Sequence, residues 1–384
     1  MARVVALAGR VVLNSGEHVD RAWLVDGRLS LADPFDDPSD AAAGVVQELV
    51  GWFYPGLVDV HCHIGLGDAG PVDEETALAQ GRADLAAGTL LVRDCGVQAD
   101  THWLDRHTDV PVIVRAGQHI ARPKRYLRNL AVELDDPSQL PEEVARQARA
   151  GDGWVKIVAD WIDRSAGADA VVAPLWDPAV LADAIAAAHE AGARVTAHTF
   201  STEAIGALLD AGIDCLEHGS GMQDEHIAEA ARRAIPVTPT LVQSDNFADF
   251  ADAGGARFPA YAAQMRWLHE RRFALLRRFL DAGVQILAGS YAGGSLAHGT
   301  LPRELGLWVD AGLDAHAALE FASWRARAYL ASGPGSAGER AGRTGLVDGE
   351  LADVVHYADD PADLLAAGAL SPMTVIRTGE VVTP

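Results

Sequence analysis

Short apolar runs with strand-like spacing occupy both ends of the chain. Residues 3–13 are rich in valine, and residues 22–30 contain an Asp26-Gly27 pair, which is typical of a tight β-hairpin turn. Near the other end, residues 353–357 and 374–382 show the same β-branched character. The pattern therefore predicts strands, not helices, at both ends, and these strands are expected to assemble together.

The middle of the chain alternates short apolar runs with alanine-rich stretches of helical spacing, such as 178–191 and 202–211. The predicted strands are 56–61, 90–94, 112–116, 154–158, 194–198, 215–218, 236–241 and 284–288. Eight strand–helix alternations over about 250 residues are what a TIM-type (β/α)8 barrel requires. A doubly wound sheet is the competing α/β arrangement, but no Gly-x-Gly-x-x-Gly follows the first strand, which makes that arrangement less favoured.

These patterns predict an α/β protein of two domains. A TIM-type barrel is expected over residues 56–340, and a small β-sandwich domain is expected from residues 1–55 and 341–384. Residues 333–338 are glycine-rich but lack the Gly-Lys-Ser/Thr of a phosphate-binding loop, so they are interpreted as a linker. Residues 33–44, rich in Asp, Pro and Ala, are predicted to be mobile.

Charge narrows the classes of partner. The chain has 31 Lys+Arg and 54 Asp+Glu, a formal net charge of −23. Nucleic acids and anionic membrane surfaces attract basic proteins, so neither partner is expected. Residues 260–280 carry five arginines, but their apolar spacing indicates an amphipathic helix. Three cysteines are too few for a disulfide framework, and no stretch of about 18 residues stays apolar, so a cytoplasmic location is predicted.

Histidines end several predicted strands of the middle region. His61 and His63 close the first strand, His198 closes the fifth and His218 the sixth. In a barrel these ends face one mouth, where active sites lie. Alternate residues of a strand point the same way, so His61 and His63 can both reach one ion at about 2.0–2.1 Å, whereas Cys62 points into packing. A single such histidine is usually structural, but four of them indicate a metal site.

An ordered set of motifs resembles the amidohydrolase superfamily over essentially the whole chain. Pro55-Gly-Leu-Val-Asp-Val-His-Cys-His63 resembles the opening motif of this family, and Glu217-His218-Gly219 follows in the expected order. Later, His298-Gly-Thr-Leu-Pro-Arg-Glu304 and Gly345-Leu-Val-Asp-Gly-Glu-Leu-Ala-Asp353 complete the set. The chain is similar to the imidazolonepropionase- and Xaa-Pro-dipeptidase-like branch. The resemblance implies a distorted barrel that holds one or two divalent metal ions, usually zinc.

The resemblance also implies a role for each candidate ligand. His61 and His63 would bind the more buried ion, and His198 and His218 would bind the other. Lys156, carboxylated by carbon dioxide, would bridge the two ions, because a carbamate is an anion with two oxygens whereas a free lysine is a cation. The alternative for Lys156 is a snorkelling or salt-bridged lysine, which its apolar strand disfavours. His218 and Lys156 are thus also candidate catalytic residues.

The chain departs from the family at the eighth predicted strand. The family has an Asp that ligates metal and takes a proton from the attacking water, but here the sequence reads Gly289-Ser290-Tyr291. A phenol with a reference pKa of about 10 is a poor base at neutral pH. Three accounts of Tyr291 stay open: a substitution that disables or redirects an enzyme, a natural change in a homologue with different or lost chemistry, or a tyrosine that acts directly as phenolate ligand or acid/base.

A basic segment from Gln118 to Arg128 follows the third predicted strand. Arginine and lysine on a loop at the barrel mouth can clamp a carboxylate or phosphate, although a solvated loop paired with acids is an equal alternative. Aromatic and polar residues after neighbouring strands would complete the pocket. The candidate substrate contacts are His119, Arg122, Tyr126, Trp161 and Thr240.

The predicted function is metal-dependent hydrolysis of a C–N bond, an amide or cyclic amide, in a small molecule or dipeptide-like substrate. The divalent ion, preferably zinc, would activate the attacking water, with Tyr291 impairing the reaction. The alternative is a non-hydrolytic or inactive homologue of the same fold that binds a small anionic ligand. Oligomeric state is open, with a homo-oligomer as one option.

Overall fold

The computed structural model describes residues 3–35, 45–126, 130–342 and 344–382. Arg128 and most of the segment predicted to be mobile lie outside the described residues. The strands β1 to β20 are, in chain order, Val4–Val12, His18–Val25, Arg28–Ser30, Val45–Pro55, Leu57–Cys62, Leu66–Gly67, Gly70–Pro71, Thr89–Asp94, Val112–Arg115, Ile120–Ala121, Val132–Glu133, Trp154–Val158, Asp160–Ile162, Val172–Pro174, Arg194–Thr199, Cys215–His218, Val237–Thr238, Val354–Tyr357, Thr374–Arg377 and Glu380–Val382.

The helices lie between the strands of the middle region and after them. The α-helices α1 to α13 are, in chain order, Glu74–Ala86, Leu140–Ala150, Pro178–Glu190, Thr202–Ala211, Asp224–Arg232, Leu241–Asp245, Phe247–Gly254, Pro259–Asp281, Leu301–Asp310, Ala315–Glu320, Ala326–Ala331, Gly335–Gly342 and Pro361–Ala366. Short 3-10 turns span His102–Arg106, Pro137–Gln139 and Arg164–Asp169, and a π-helical turn spans Phe321–Arg325. None of the helices in the described ranges is long and apolar enough to cross a membrane.

Both ends of the chain contribute to one seven-stranded sheet, in the order β20-β19-β18-β4-β1-β2-β3. The predicted hairpin is confirmed: Val25 pairs with Arg28, and the two residues between them have positive φ, 48° at Asp26 and 79° at Gly27. That conformation suits the right-handed twist of the paired strands. The sheet confirms that strands of the two ends pair, while their division into a separate sandwich domain stays a prediction.

The middle region contains two sheets of mainly parallel strands, β5-β8-β9 and β11-β10-β12-β15-β16-β17. Six of the eight predicted strands match closely, but the seventh shrinks to Val237–Thr238, because Thr240 takes a left-handed φ of 43° and a helix begins at Leu241. The eighth is not a regular strand. Its backbone nevertheless joins both sheets: Leu287 N donates to Val237 O at 2.9 Å, and Val60 N donates to Ala288 O at 2.8 Å.

The interpretation of residues 333–338 as a linker is wrong. Most of this stretch lies in the helix Gly335–Gly342, whose Ala337 and Ala341 are fully buried against Trp154 and Leu330. Glycine lowers helix propensity by about 1 kcal/mol per residue, and the burial of this small-residue face outweighs that cost. The predicted amphipathic helix at 260–280 is confirmed as Pro259–Asp281, with Phe279 among its buried residues.

Candidate metal and active site

Five histidines come together where parallel strands end. The ring centroid of His61 lies 5.4 Å from that of His63 and 5.2 Å from that of His218, and His198 lies 4.7 Å from His218. His119, predicted as a substrate contact, joins the cluster 6.0 Å from His63. All five side chains are buried. The structure thus assembles the four histidines predicted as metal ligands and adds a fifth.

Hydrogen bonds at one ring nitrogen orient three of these histidines. Nδ1 of His61 lies 2.7 Å from the Glu217 carboxylate, and Nδ1 of His63 and of His119 lies 3.0 and 3.2 Å from the carbonyl oxygen of Gly96. Since these oxygens can only accept, each Nδ1 carries the proton and each Nε2 keeps a lone pair. Burial first, and then the Lys156 charge, lowers the pKa of His61 to about 4, so the ring is neutral at pH 7.

The other two histidines are ordered through a chain of hydrogen bonds that starts at Thr240. The Thr240 hydroxyl donates to Pro239 O at 2.8 Å and accepts from Nδ1 of His218. Nε2 of His218 therefore accepts from Nδ1 of His198 at 3.1 Å, which leaves Nε2 of His198 with a lone pair. Thr240 is fully buried, so the structure makes this predicted substrate contact a positioning residue for His218.

Several nitrogens of the cluster have no hydrogen-bond partner among the described residues. They are Nε2 of His61, His119 and His198 and Nζ of Lys156, all with almost no solvent exposure. Burying an unpaired polar atom costs free energy, and for an ammonium the cost is larger. A buried set of free imidazole lone pairs beside a lysine is suited to divalent metal and to a carbamate.

The ring spacing also fits metal ligation. Two nitrogens bound to one zinc ion at about 2.0–2.1 Å lie about 3–3.4 Å apart, and their ring centroids lie about 5 Å apart. The centroid distances of 5.4, 5.2 and 4.7 Å around His61 and His218 match this value.

A second set of potential ligand atoms is less suitable. Atoms of His61, Cys95 and Glu217 lie within 4.8 Å of one another. However, Glu217 already accepts from His61, Arg93 and Thr196, and burial raises the pKa of Cys95 to about 12, which keeps it a thiol. The unpartnered imidazole nitrogens are therefore the better candidates for metal.

A buried ion pair behind the histidines was missed by sequence reasoning. Glu217 on β16 pairs with Arg93 on β8, and both side chains are completely buried. Burial alone raises the pKa of the carboxyl, but Arg93 and His61 outweigh that effect and hold the pKa well below its usual range. The available signal was a charged residue next to apolar ones in each of two strands, Arg93 after Val92 and Glu217 after Leu216.

Two buried carboxyl groups that were also missed hold the neighbouring loops. Asp59 accepts from the backbone N–H of His61 at 3.0 Å and of Ser290 at 3.1 Å. Asp160 accepts from the backbone N–H groups of Phe200 and Ser201. Burial raises the pKa of both carboxyls to about 7. These bonds fix the strand ends that carry His61, His198 and Tyr291.

Tyr291 lies against the histidines, as its sequence position predicts. Its backbone has a φ of 55°, and its N–H donates to His61 O at 2.7 Å. The ring centroid is 4.9 Å from that of His61 and 5.4 Å from that of His218. Its hydroxyl lies 3.2 Å from the hydroxyl of Tyr126, and burial raises the pKa of Tyr291. The two tyrosines thus cover the cluster with uncharged phenols.

The predicted substrate contacts Tyr126 and Trp161 lie at the histidine cluster, whereas Arg122 does not. Tyr126 lies in the site, with its ring 5.0 Å from His119, and Trp161 forms a wall 5.6 Å from His198. Arg122 does not face the histidines, because its guanidinium donates to the carbonyl oxygens of Leu134 and Asp135 and lies over Trp176. The expectation that Arg122 clamps a substrate carboxylate is therefore not supported by its placement.

Comparison with known proteins identifies the family. The Amidohydrolase family profile matches residues 52–332, and the chain belongs to this family. Uncharacterized proteins of Mycobacterium tuberculosis and Mycobacterium bovis are 45% identical over 383 residues, which cover 100% of this chain and 97% of each relative. Membership implies a TIM-barrel-type α/β fold, in agreement with the parallel sheets joined through residues 285–288.

Solved structures show the same fold at low sequence identity. A Xaa-Pro dipeptidase with bound methionine in the active site is 19% identical with a TM-score of 0.78, covering 99% of this chain and 100% of that chain. Aspergillus niger ochratoxinase is 18% identical with a TM-score of 0.77, covering 100% of this chain and 96% of that chain. These similarities extend over the whole chain and establish its fold.

Proposed function

We propose that this protein is a metal-dependent amidohydrolase that hydrolyses an amide or cyclic amide C–N bond in a small molecule or dipeptide-like substrate. The observation that carries the proposal is the set of buried, unpartnered nitrogens of His61, His119, His198 and Lys156. Family membership and the similarity to a Xaa-Pro dipeptidase support the reaction class. The proposal includes a closed (β/α)8 barrel over 56–340, a small β domain from 1–55 and 341–384, and a cytoplasmic location.

Four histidines and a carboxylated Lys156 are the proposed metal ligands. His61 and His63 would hold one divalent ion and His198 and His218 a second, with zinc preferred. Bound ions supply a polarised carbonyl and an activated water. Carboxylation would place the unpartnered Nζ of Lys156 in an anionic carbamate, whose oxygens are suitable ligands for divalent cations.

The other residues of the site orient ligands and exclude water. Glu217 and the Gly96 carbonyl hold protons on Nδ1 and thereby direct Nε2 lone pairs into the site, and Thr240 does the same for His218. Tyr126 and Tyr291 cover the cluster. A phenol has an ordinary pKa of about 10, so Tyr291 is a proton donor at neutral pH and a weak base. We therefore expect slow hydrolysis.

Replacement of Tyr291 by Asp tests the proposal. Asp tolerates positive φ better than Tyr, so the substitution fits the observed backbone. At saturating metal we expect turnover of the best substrate among N-acyl amino acids, lactams and Xaa-Pro dipeptides to rise by about 10²–10⁴-fold, the usual contribution of one general acid/base. Tyr291→Phe, which opens no space and adds no base, is the matched control and should give no gain.

Tyr291 itself favours a second candidate function, a homologue that binds a small anionic ligand without hydrolysing it. Metal content measured by mass spectrometry, followed by the same substrate panel, separates the two. Bound divalent metal together with turnover in the Tyr291→Asp variant supports the hydrolase. Bound metal in both forms, with tight ligand binding but no turnover in either, contradicts it and supports the binding protein.

A further inference from the structure

A groove of about 290 Å³ lies beside the candidate site, on the outer side of Trp161. Besides Trp161, its lining includes the aromatic residues Phe250, Phe258 and Tyr261. Arg164 and Arg257 also line it, together with the smaller or aliphatic residues Ile162, Ala253 and Gly254. The side chain of Phe250 is 36% exposed, so the groove presents apolar surface to solvent together with positive charge.

Trp161 forms a shared wall between this groove and the histidine cluster. Its ring centroid lies 5.6 Å from that of His198 and 5.0 Å from that of Tyr126. A molecule in the groove is therefore one indole ring away from the proposed metal ligands. An elongated substrate could place one end in the groove and its scissile bond at the histidines.

The two groove arginines lack acidic partners among the described residues. Both side chains are exposed, and neither forms an ion pair with the described residues. The guanidinium carbon of Arg257 lies 5.1 Å from the centroid of the Phe258 ring. Nearby, Arg266 pairs with Asp252 at 2.9 Å, so acids are present in this region and are used elsewhere. In a chain with a net charge of −23, two arginines without acidic partners therefore line the same groove.

In the described part of the basic segment predicted to bind anions, both arginines are already bonded to other groups, whereas the exposed Lys124 forms no ion pair with the described residues. Arg122 is bonded to backbone carbonyls, and Arg125 pairs with Asp163 at 2.8 Å. An anionic group that approaches this side of the molecule therefore finds its available guanidinium partners at Arg164 and Arg257. Exposed aromatic surface next to them suits an apolar group attached to that anion.

We propose that this groove binds a carboxylate that carries an aromatic or medium-length aliphatic group, and that it is the subsite for the corresponding end of the substrate. The subsite role rests on the proposed hydrolase function, whereas binding itself does not. The aromatic side chains receive the apolar part, and the two guanidinium groups receive the carboxylate. The substrate class is then an amide with an apolar, anionic end.

Calorimetric titration of the full chain with 4-phenylbutyrate tests the binding. An exposed guanidinium–carboxylate contact contributes a few-fold to affinity, so we expect the double variant Arg164→Gln/Arg257→Gln to raise Kd about tenfold. Ala253→Phe, which fills the groove, should abolish binding. Arg149→Gln alters an exposed arginine on another helix and should leave Kd unchanged. The neutral probe 4-phenylbutanol should bind more weakly and be insensitive to both arginine changes.

The titration is run on both metal-stripped and metal-loaded protein. Binding that survives metal removal and depends on the arginines supports the groove, even where no hydrolysis is found. Absence of binding at millimolar probe, or binding that neither the arginine changes nor Ala253→Phe alter, overturns it. Binding that disappears on metal removal and ignores the arginines also overturns it, since the carboxylate would then lie at the histidines. Thermal unfolding of each variant confirms that it is folded.

Discussion

Replacement of Glu217 by Gln perturbs the candidate site without changing its shape. The carboxylate accepts a hydrogen bond from Nδ1–H of His61 at 2.7 Å and forms an ion pair with Arg93. All three side chains have 0% exposure. An amide keeps the volume and one acceptor oxygen but removes the negative charge. Two separate consequences follow, one for folding and one for metal binding.

The folding consequence comes from Arg93, which is left buried without its counter-charge. Removing one partner of a buried ion pair costs about 3–5 kcal/mol of unfolding free energy. Arg93 keeps a hydrogen bond to Val60 O at 2.8 Å and its position 4.5 Å over the Trp154 ring, so we expect a loss of about 3 kcal/mol, at the lower end of that range. The metal consequence comes from His61, because loss of a carboxylate behind a ligand lowers metal affinity by about 10–100-fold.

Urea unfolding of metal-free protein measures the first effect, and competition with a chelator measures the second. The double variant Arg93→Met/Glu217→Leu is the matched control, because it leaves no buried charge. It should recover most of the stability lost in Glu217→Gln but not the metal affinity, since His61 then has no acceptor. A folded Glu217→Gln protein with metal affinity within twofold of the original would refute the orienting role of Glu217. A double variant as unstable as the single one would refute the charge argument.

Further substitutions test other parts of the site and of the surrounding fold. Lys156→Met should raise the thermal stability of the metal-free protein, because it removes a buried amine without partners. The same substitution should lower the amount of bound metal. A decrease in both thermal stability and bound metal would instead indicate a structural lysine. Gly289→Ala should lower metal stoichiometry, because its Cβ would lie 2.7 Å from Cβ of His61. As a control, Gly306→Ala lies at a half-buried helix position where a Cβ would meet no atom within 4 Å, so it should be stabilising by up to about 1 kcal/mol. Burial raises the pKa of Glu304 to about 7, so the folded state favours its protonated form. As the pH rises from 4.5 to 7, the unfolding free energy of the wild type should therefore fall by about 3 kcal/mol relative to that of Glu304→Gln, as measured by chemical unfolding. A difference that does not depend on pH would contradict this.

Most strands of the fold could be predicted because burial leaves a direct pattern in the sequence. The errors occurred where an apolar run does not specify hydrogen bonding. Residues 284–288 are apolar and buried except for the half-buried Gln285, yet their backbone bonds alternate between two sheets and form no regular ladder. For Gly335–Gly342, local propensity opposes a helix, and only the tertiary contacts of Ala337 with Trp154 decide the outcome.

The candidate site was predictable where chemistry and strand position coincide, and less so where side-chain direction decides. The clustered histidines follow from strand ends alone. Arg122 has the right residue type on the right loop, but its side chain turns back to the carbonyl oxygens of Leu134 and Asp135. Arg93 and Glu217 are 124 positions apart, so no local pattern could pair them. Pairing of that kind depends on the register of the folded sheets.

Tyr291 affects the charge of the candidate site but not that of the groove beside Trp161. Two divalent ions with one carbamate as the anionic ligand would leave a net charge of +3, because the phenol contributes none where the family's Asp would contribute −1. A site with one negative ligand fewer binds metal less tightly and attracts anions more strongly. We therefore expect Tyr291→Asp to raise metal affinity and to weaken inhibition by carboxylates that reach the histidines. Binding of 4-phenylbutyrate in the groove, which depends on Arg164 and Arg257, should stay unchanged, because those charges lie on the far side of the indole.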